Sequence, residues 1–297
     1  MPAIRQEGPI NENCYLIDAV HDGIPRAYAA YLIKSGDGQS CLIDTGSKES
    51  IKVIYERLKE WGAWPLDKLI ITHSHWDHSQ GVGFLREKAA EINHTIEVMA
   101  SEKAIPYLAD QSYNICFDLD QAPFLNVHDV IGLKDADRID LGAGTILRII
   151  DTPGHMVDHI SVLEESSGIA FTGDAIGMKY TDNFNVPNPN SEFWDEAAFY
   201  QSIDTLKSIG IKGLGLGHFG CLMGDEAISF LDETVQMYNR WMEIFKQNKD
   251  NLDDIPRLVQ ILIKEVYAHL PQEMHQIASE ALVGAVGLAA GAYQDKD

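Results

Sequence analysis

Through roughly the first 220 positions the apolar residues fall in short runs broken by turn residues; after that they step by three and four to the end. The opening runs "CYLIDA" (14–19), "AYLIKS" (30–35) and "CLIDTG" (41–46) read as strands, and the Asp-Thr-Gly closing the last predicts a sharp turn out of a buried strand. In "SKESIKVIYERLKEWG", Ile51, Ile54, Leu58 and Trp61 share one helical face and Gly62 is a stop. "KLIIT" then predicts a short buried strand, "VGFLREKAAEI" a helix and "TIEVMA" a strand. Further on, "TILRIIDT", "ISVLEES" and "GIAFTGD" predict strands, "EAAFYQSIDTLKSIG" a helix, and "KGLGLGH" a glycine-rich strand end. This alternation predicts a sheet-based α/β or α+β core with helices outside, closing near residue 222.

From Asp225 the texture is helical throughout. Ile228, Leu231, Val235, Tyr238, Met242 and Phe245 form one apolar stripe. A second helix is predicted to start near Asp253 or Asp254, with Pro256 early in it, and a third to run from about Pro271 to Ala290. The stripe must be covered by the core or by a second copy of the chain in a homodimer; it can also roof a site.

The chemistry concentrates at the end of the fourth predicted strand. "IITHSHWDHSQG" (70–81) places His73, His75, Asp77 and His78 within six positions. Side chains two apart on extended backbone point the same way, so His73 and His75 can share a target. Asp77 and His78 fall where the chain turns into the next helix and can aim at a neighbouring point. Imidazole with carboxylate suits zinc, and also iron or manganese. Four donors cannot fill two coordination shells, and three more stand at other strand ends: His155 in "IIDTPGHMVDH", Asp174 in "IAFTGDA" and His218 in "GLGLGHFG". Each sits beside a glycine, where backbone can approach closely. Any one alone reads as an ordinary structural residue; all together they read as a site. His21, His94, His128, His269 and His275 have no such context.

The run H-x-H-x-D-H, followed by G-H, G-D and G-H, resembles the metallo-β-lactamase superfamily over roughly residues 10 to 222. That resemblance implies an α+β fold, a four-layer αβ/βα sandwich with a two-metal site at one edge, followed by a C-terminal helical extension. It divides the chain into a catalytic domain, 1–222, and a helical cap, 223–297. By position, His73, His75 and His155 would hold one divalent ion, Asp77, His78 and His218 the other, and Asp174 would bridge them, with zinc the default metal. Asp44, in "LIDTG", would support the ligands from behind, and His159 would touch either a ligand or the substrate. Such a centre holds a hydroxide between its ions at neutral pH and polarises a carbonyl or phosphoryl oxygen. Asp77 would take the proton as the intermediate collapses. The expected reaction is hydrolysis of a thioester, lactone or carboxylic ester of a small molecule. A phosphodiesterase acting on a small substrate, and a non-catalytic signalling or binding protein that keeps the metal site, are the alternatives.

Departures from pattern sort the branches. Flavodiiron reductases place glutamate where this chain has His75, and the common zinc β-lactamases lack the bridging aspartate. Acyl-homoserine lactonases place tyrosine three residues after that aspartate; here the position is Gly177, with Tyr180 three further on. The glyoxalase II branch shares the ligands and a helical C-terminus. In layout and in the segment "GDAIG" the chain resembles the quinolone-signal-response thioesterase, whose C-terminal helices cap the site. Two long loops, 114–129 and 178–195, are expected to carry specificity. The second supplies Tyr180, Phe184, Phe193 and Trp194 as candidate pocket walls.

Composition narrows the partners. With 23 basic against 45 acidic residues the formal net charge is −22, which argues against a nucleic acid or an anionic membrane. Cys14, Cys41, Cys116 and Cys221 show no C-x-x-C pairing and predict reduced thiols in a cytoplasmic protein. The start "MPAIRQEGPI" has no apolar signal core, and "ALVGAVGLAAGAY" (281–293) is too short to span a bilayer.

Overall fold

The computed structural model describes residues 3–21, 23–116, 122–189 and 193–294. A short strand β1 (Ala3–Ile4) is followed by the first sheet, in which β2 (Gly8–Pro9), β3 (Cys14–His21), β4 (Ile24–Lys34), β5 (Ser40–Ile43), β6 (Lys68–Ile71), β7 (Glu97–Ser101) and β8 (Ile131–Leu133) lie side by side in chain order. The meander through β5 is antiparallel; β5 to β8 run parallel, with helices in the crossovers. Those helices are α1 (Ser50–Glu60), α2 (Trp76–Ser79), α3 (Val82–Ala90) and α4 (Ile105–Ala109).

The second sheet is built from β9 (Arg138–Asp140), β10 (Ile146–Asp151), β11 (Ile160–Glu164), β12 (Ile169–Phe171), β15 (Gly213–Gly215) and β16 (Cys221–Met223), with β1 closing the edge beside β16. A hairpin, β13 (Met178–Thr181) and β14 (Phe184–Val186), stands apart, and α5 (Glu196–Ser208) links it back to β15. Three helices follow: α6 (Asp225–Gln247), α7 (Ile255–Glu265) and α8 (Gln272–Gln294).

The strands read as unbroken apolar runs because both faces are buried. Leu16, Ile33, Ile43 and Ile70 point between the sheets and meet Ile149, Val162 and Phe171. Their chain neighbours Ile17, Leu32, Leu42 and Leu69 point outward onto Ile51, Ile54 and Leu58 of α1 and Leu85 of α3. That period of two makes the first helix–sheet pair. On the far side, Leu163, Ala170 and Leu214 pack against Phe199 and Ile203 of α5 and against Phe230 and Leu231 of α6. The fold is therefore the four-layer αβ/βα sandwich, with additional C-terminal helices.

Two local expectations are corrected. His73 and His75 are not on a strand: β6 ends at Ile71, and His75 is the residue that caps α2. Their convergence comes from a turn, not from strand alternation. The apolar stripe of α6 is also displaced. Ile228 is exposed, Val235 and Met242 are only half-buried, and the fully buried positions include Phe230, Trp241 and Ile244. The reason is that α6 has two partners. Its first half packs with α5 on the second sheet, while Trp241, Ile244 and Phe245 join α7, α8 and the hairpin in a separate core. A helix gripped from two sides buries a wider face than one stripe. Asp254 caps α7 by accepting from the Arg257 backbone N–H, with Pro256 in the first turn as expected. Among the described residues no helix is long and apolar enough to cross a membrane.

Candidate metal centre

The turns that follow β6, β12 and β15, together with the β10–β11 connection, meet at one edge of the sandwich and bring two groups of donors together. In the first, His73 Nε2 and His155 Nε2 lie 2.9 and 3.0 Å from His75 Nδ1. Nitrogens bound tetrahedrally at about 2.0–2.1 Å from zinc are roughly 3.3 Å apart, so three buried ring nitrogens this close match three corners of one coordination shell. The second group is Asp77, His78, Asp174 and His218. His78 Nε2 is 3.7 Å from Asp77 Oδ2 and 3.5 Å from Asp174 Oδ1, and His218 Nε2 is 3.3 Å from Asp174 Oδ2. Asp174 Oδ2 is also 3.7 Å from His155 Nε2, so this carboxylate touches both groups.

Hydrogen bonds on the far side of each ring fix which nitrogen presents a lone pair. His78 Nδ1 donates to Asp44 Oδ2, and His155 Nδ1 donates to the Asn188 carbonyl at 3.0 Å. Thr72 Oγ1 spends its proton on Asp44 Oδ2, so it accepts from His73 Nδ1 at 3.2 Å. In all three rings Nε2 therefore faces inward, and it is the nitrogen that carries the lone pair when the ring is neutral. His78 Nε2 and Asp174 Oδ1 are buried and have no hydrogen-bond partner among the described residues. Buried polar atoms without partners are costly, and a cation between them removes the cost. The donor set therefore fits divalent ions.

The two groups differ electrostatically. Burial holds His73, His75 and His155 below the ordinary imidazole range, so they are neutral donors. Burial also opposes charge on His78 and His218, but the surrounding carboxylates outweigh it and raise both; for His78 they are Asp77, Asp174 and Asp44, and for His218 they are Asp174 and Asp77. Burial would raise Asp174, yet His218 and His78 hold it well below the carboxylate range.

Glycines admit this crowding at two points. A Cβ on Gly173 would lie 2.6 Å from Thr72 Oγ1, and one on Gly217 would lie 2.4 Å from Asp174 Oδ1. No side chain fits at either position.

A family model described as the metallo-beta-lactamase superfamily matches residues 23–218. The chain belongs to this superfamily. Over 148 residues it is 28% identical to a hydroxyacylglutathione hydrolase of Ruegeria pomeroyi, covering 50% of this chain and 47% of that protein. Over 215 residues it is 26% identical to a putative diflavin flavoprotein A 2 of Nostoc, covering 71% of this chain and 30% of that one. The chain thus spans about half, or less, of the length of these curated relatives. Among solved structures, a metallo-beta-lactamase family protein from Thermus thermophilus superposes with a TM-score of 0.65 at 19% identity, covering 97% of this chain and 95% of that one.

Within this superfamily site, the residues behind the donors include Asn188 and Asp158, which pattern reading did not single out, and His159, which it did. Asn188, from the loop after the hairpin, orients His155 through its carbonyl and donates its side-chain amide to Asp174 Oδ2 at 3.0 Å. Its only sequence signal was its place in a Pro/Asn-rich loop. Asp158 Oδ2 accepts from the Ser74 backbone N–H between the two first histidines. His159 accepts the Asp174 backbone N–H on Nε2, faces Thr152 Oγ1 with Nδ1, and stacks on His73 at 4.8 Å. It lies behind the donors.

The four aromatic candidates separate. Tyr180 and Phe184 line a cavity of about 490 Å³ that His218 also lines. Phe193 packs on Tyr107 and Tyr113 beside a smaller cavity of about 300 Å³, and Trp194 packs at a tilt against Phe199 and Tyr238, donating Nε1 to the Tyr238 hydroxyl. His21, without context in the sequence, lines the larger cavity. Of the loop 114–129, residues 117–121 lie outside the described residues.

Proposed function

We propose that this chain hydrolyses an ester-type bond, a thioester, lactone or carboxylic ester, in a small molecule, with two divalent ions held by the seven donors. The observation that carries the reading is the Asp174 carboxylate, whose Oδ2 is 3.7 Å from His155 Nε2 in one donor group and 3.3 Å from His218 Nε2 in the other. When bound, such a pair of ions acts as a Lewis acid toward a carbonyl oxygen and makes water nucleophilic at neutral pH.

The chain's own groups supply the rest. His73, His75 and His155 form one neutral pocket of ring nitrogens; Asp77, His78 and His218 form the other, with Asp174 shared between them. Asp77 Oδ2, 3.7 Å from His78 Nε2 and 3.9 Å from His218 Nε2, is placed to take a proton from the attacking water and return it to the leaving group. Asp44, Thr72, Asn188 and His159 hold the donors in orientation. The cavity beside His218 receives the organic part of the substrate, and Met274 of α8 lines it, which supports reading residues 223–297 as a cap on a catalytic unit of residues 1–222. A hydrolase among the relatives supports the reaction class.

Purified protein loaded with zinc, iron or manganese and assayed on thioesters, lactones, para-nitrophenyl esters and phosphodiesters tests the reading. Turnover of at least one carbonyl ester class, lost on chelation, is expected. Turnover of phosphodiesters alone would overturn it.

A further inference from the structure

The cavity beside His218 has one wall from the start of β4 (Ile24 to Tyr28), one from the hairpin (Tyr180, Phe184) and one from Phe219 and Met274. Its floor is apolar and buried at Phe184 and Phe219, while its rim exposes Ile24 and Tyr180, at 61% and 38% of their surfaces. Apolar side chains left at the mouth of a concave apolar surface mark a place that a ligand covers.

Two arginines stand in this lining, and they differ. Arg5 is committed: its guanidinium donates to the Lys179 carbonyl and to Asp182 and lies 3.6 Å from Glu226. Arg26 has no ion pair among the described residues; its guanidinium sits 6.0 Å over the Phe219 ring. Asp18 is an acidic neighbour: its Oδ1 accepts from the Arg26 backbone N–H at 2.7 Å, and it feels the charge of the Arg26 guanidinium without forming a salt bridge with it. Arg26 also adopts a left-handed backbone, φ 63°, uncommon for a residue with a side chain. In a chain of net charge −22, an exposed arginine that forms no salt bridge among the described residues, at the rim of an apolar cavity, is placed to meet an anion arriving from solvent. Phe219, under that guanidinium, directly follows the donor His218, so one wall runs from the reacting centre to the cation. Tyr28 extends the same wall, its ring 5.1 Å from that of His218.

From this arrangement we infer a substrate class, an inference that rests on the ester-hydrolase reading for its chemistry: an amphipathic ester or thioester whose apolar body fills the cavity and whose far end carries a single anionic group held by Arg26. A ligand with several charges, such as a peptide thiol bearing two carboxylates and an amine, finds among the described lining residues one arginine outside a salt bridge and a largely apolar wall elsewhere.

Two measurements on the metal-loaded full chain test this. The first is binding of anilinonaphthalene sulfonate and of phenylnaphthylamine, dyes sharing one aromatic body with and without an anionic group. Arg26→Met is expected to lower the ratio of sulfonate to neutral dye affinity by about tenfold, the scale of one charge-assisted contact, and Arg26→Lys to restore most of it. Ile24→Asp, at an exposed rim position where folding is not at risk, is expected to weaken both dyes. The second is kcat/KM for para-nitrophenyl hexanoate against the mono-para-nitrophenyl ester of adipic acid, equal in length but differing in the terminal carboxylate. The wild type should prefer the adipate by about tenfold and Arg26→Met should lose that preference. An unchanged dye ratio in Arg26→Met overturns the anion assignment, and unchanged binding of both dyes in Ile24→Asp overturns the cavity itself. If the dyes behave as expected while neither ester is cleaved, the subsite stands and the ester-hydrolase reading falls.

Discussion

Asp44 Oδ2 accepts a hydrogen bond from His78 Nδ1 at 2.8 Å, and this contact decides which ring nitrogen of His78 faces Asp174. Asp44 itself is held at φ 61°, the left-handed turn that ends β5, with its other oxygen accepting the Thr72 backbone N–H. Asp44→Asn can satisfy only part of this set. It should weaken binding of one ion, the one served by His78, by roughly 10–100-fold while the three-histidine group keeps its own. A calorimetric metal titration reads this as one shifted step out of two; two unshifted steps would show that Asp44 is not orienting the ring.

Two donor groups sharing Asp174 imply two ions per chain. Elemental analysis of loaded protein should approach two equivalents, and Asp174→Ala should fall below one, a larger loss than for any single histidine variant. An Asp174→Ala protein that keeps both ions would remove the shared-carboxylate arrangement.

Gly217 and Gly83 make a matched pair of opposite sign. A Cβ at Gly217 meets Asp174 Oδ1 at 2.4 Å, so Gly217→Ala should displace that carboxylate, lose metal and abolish activity. Gly83 lies inside α3 with nothing within 4 Å of its would-be Cβ. Gly83→Ala should raise stability by about 0.5–1 kcal/mol with metal content unchanged. Thermal melts and metal analysis of both variants check the contrast.

Thiol chemistry separates the four cysteines. Cys14, Cys41 and Cys221 are buried and Cys116 is exposed. Burial raises the buried thiols above the ordinary 9.0, Cys14 and Cys221 to about 12. A folded-state value above the unfolded one means stability is fully present below pH 9 and declines as pH rises toward 12, because only the unfolded chain ionises early. A thiol-specific reagent at neutral pH should label one cysteine in the native protein and four after unfolding. Alkaline denaturation should flatten in Cys14→Val. Fast native labelling of more than one thiol would contradict the packing described.

The donors are nitrogen and oxygen only, with no thiolate. Such a set discriminates weakly among zinc, iron and manganese. Reconstitution of chelator-treated protein with each ion in turn should restore activity with more than one. Activity with a single ion only would mean that geometry imposes a selectivity the ligand types do not.

The main strands and helices and the seven candidate donors were legible in the amino-acid sequence because each depends on local pattern; the αβ/βα layering came from the family resemblance, and the hairpin β13–β14 within the expected loop 178–195 was not read at all. Apolar runs of four to six residues mark strands buried on both faces, and a histidine or aspartate beside a glycine at the end of such a run is conspicuous in any context. The shape of α6 was not legible in this way. Its stripe from Ile228 to Phe245 catches only part of the buried face, because the helix is gripped by two different cores. Which of its residues are buried depends on Leu163 and Ala170, far back in the chain, and on the later helices α7 and α8. The same limit hid Asn188, whose role exists only because the loop after the hairpin folds back to meet His155 and Asp174.

What the sequence determined by itself is the kind of chemistry: the donor types, their number and the strand ends that carry them, since side-chain identity and short-range periodicity are local properties. Only the tertiary structure decided which nitrogen of each ring faces inward, which groups stand behind the donors, and that Arg26, outside any salt bridge among the described residues, lies beside Phe219 at the cavity rim. These are long-range facts. They arise when segments far apart in the chain are pressed together by burial of their apolar faces, and no window of sequence contains both sides of such a contact.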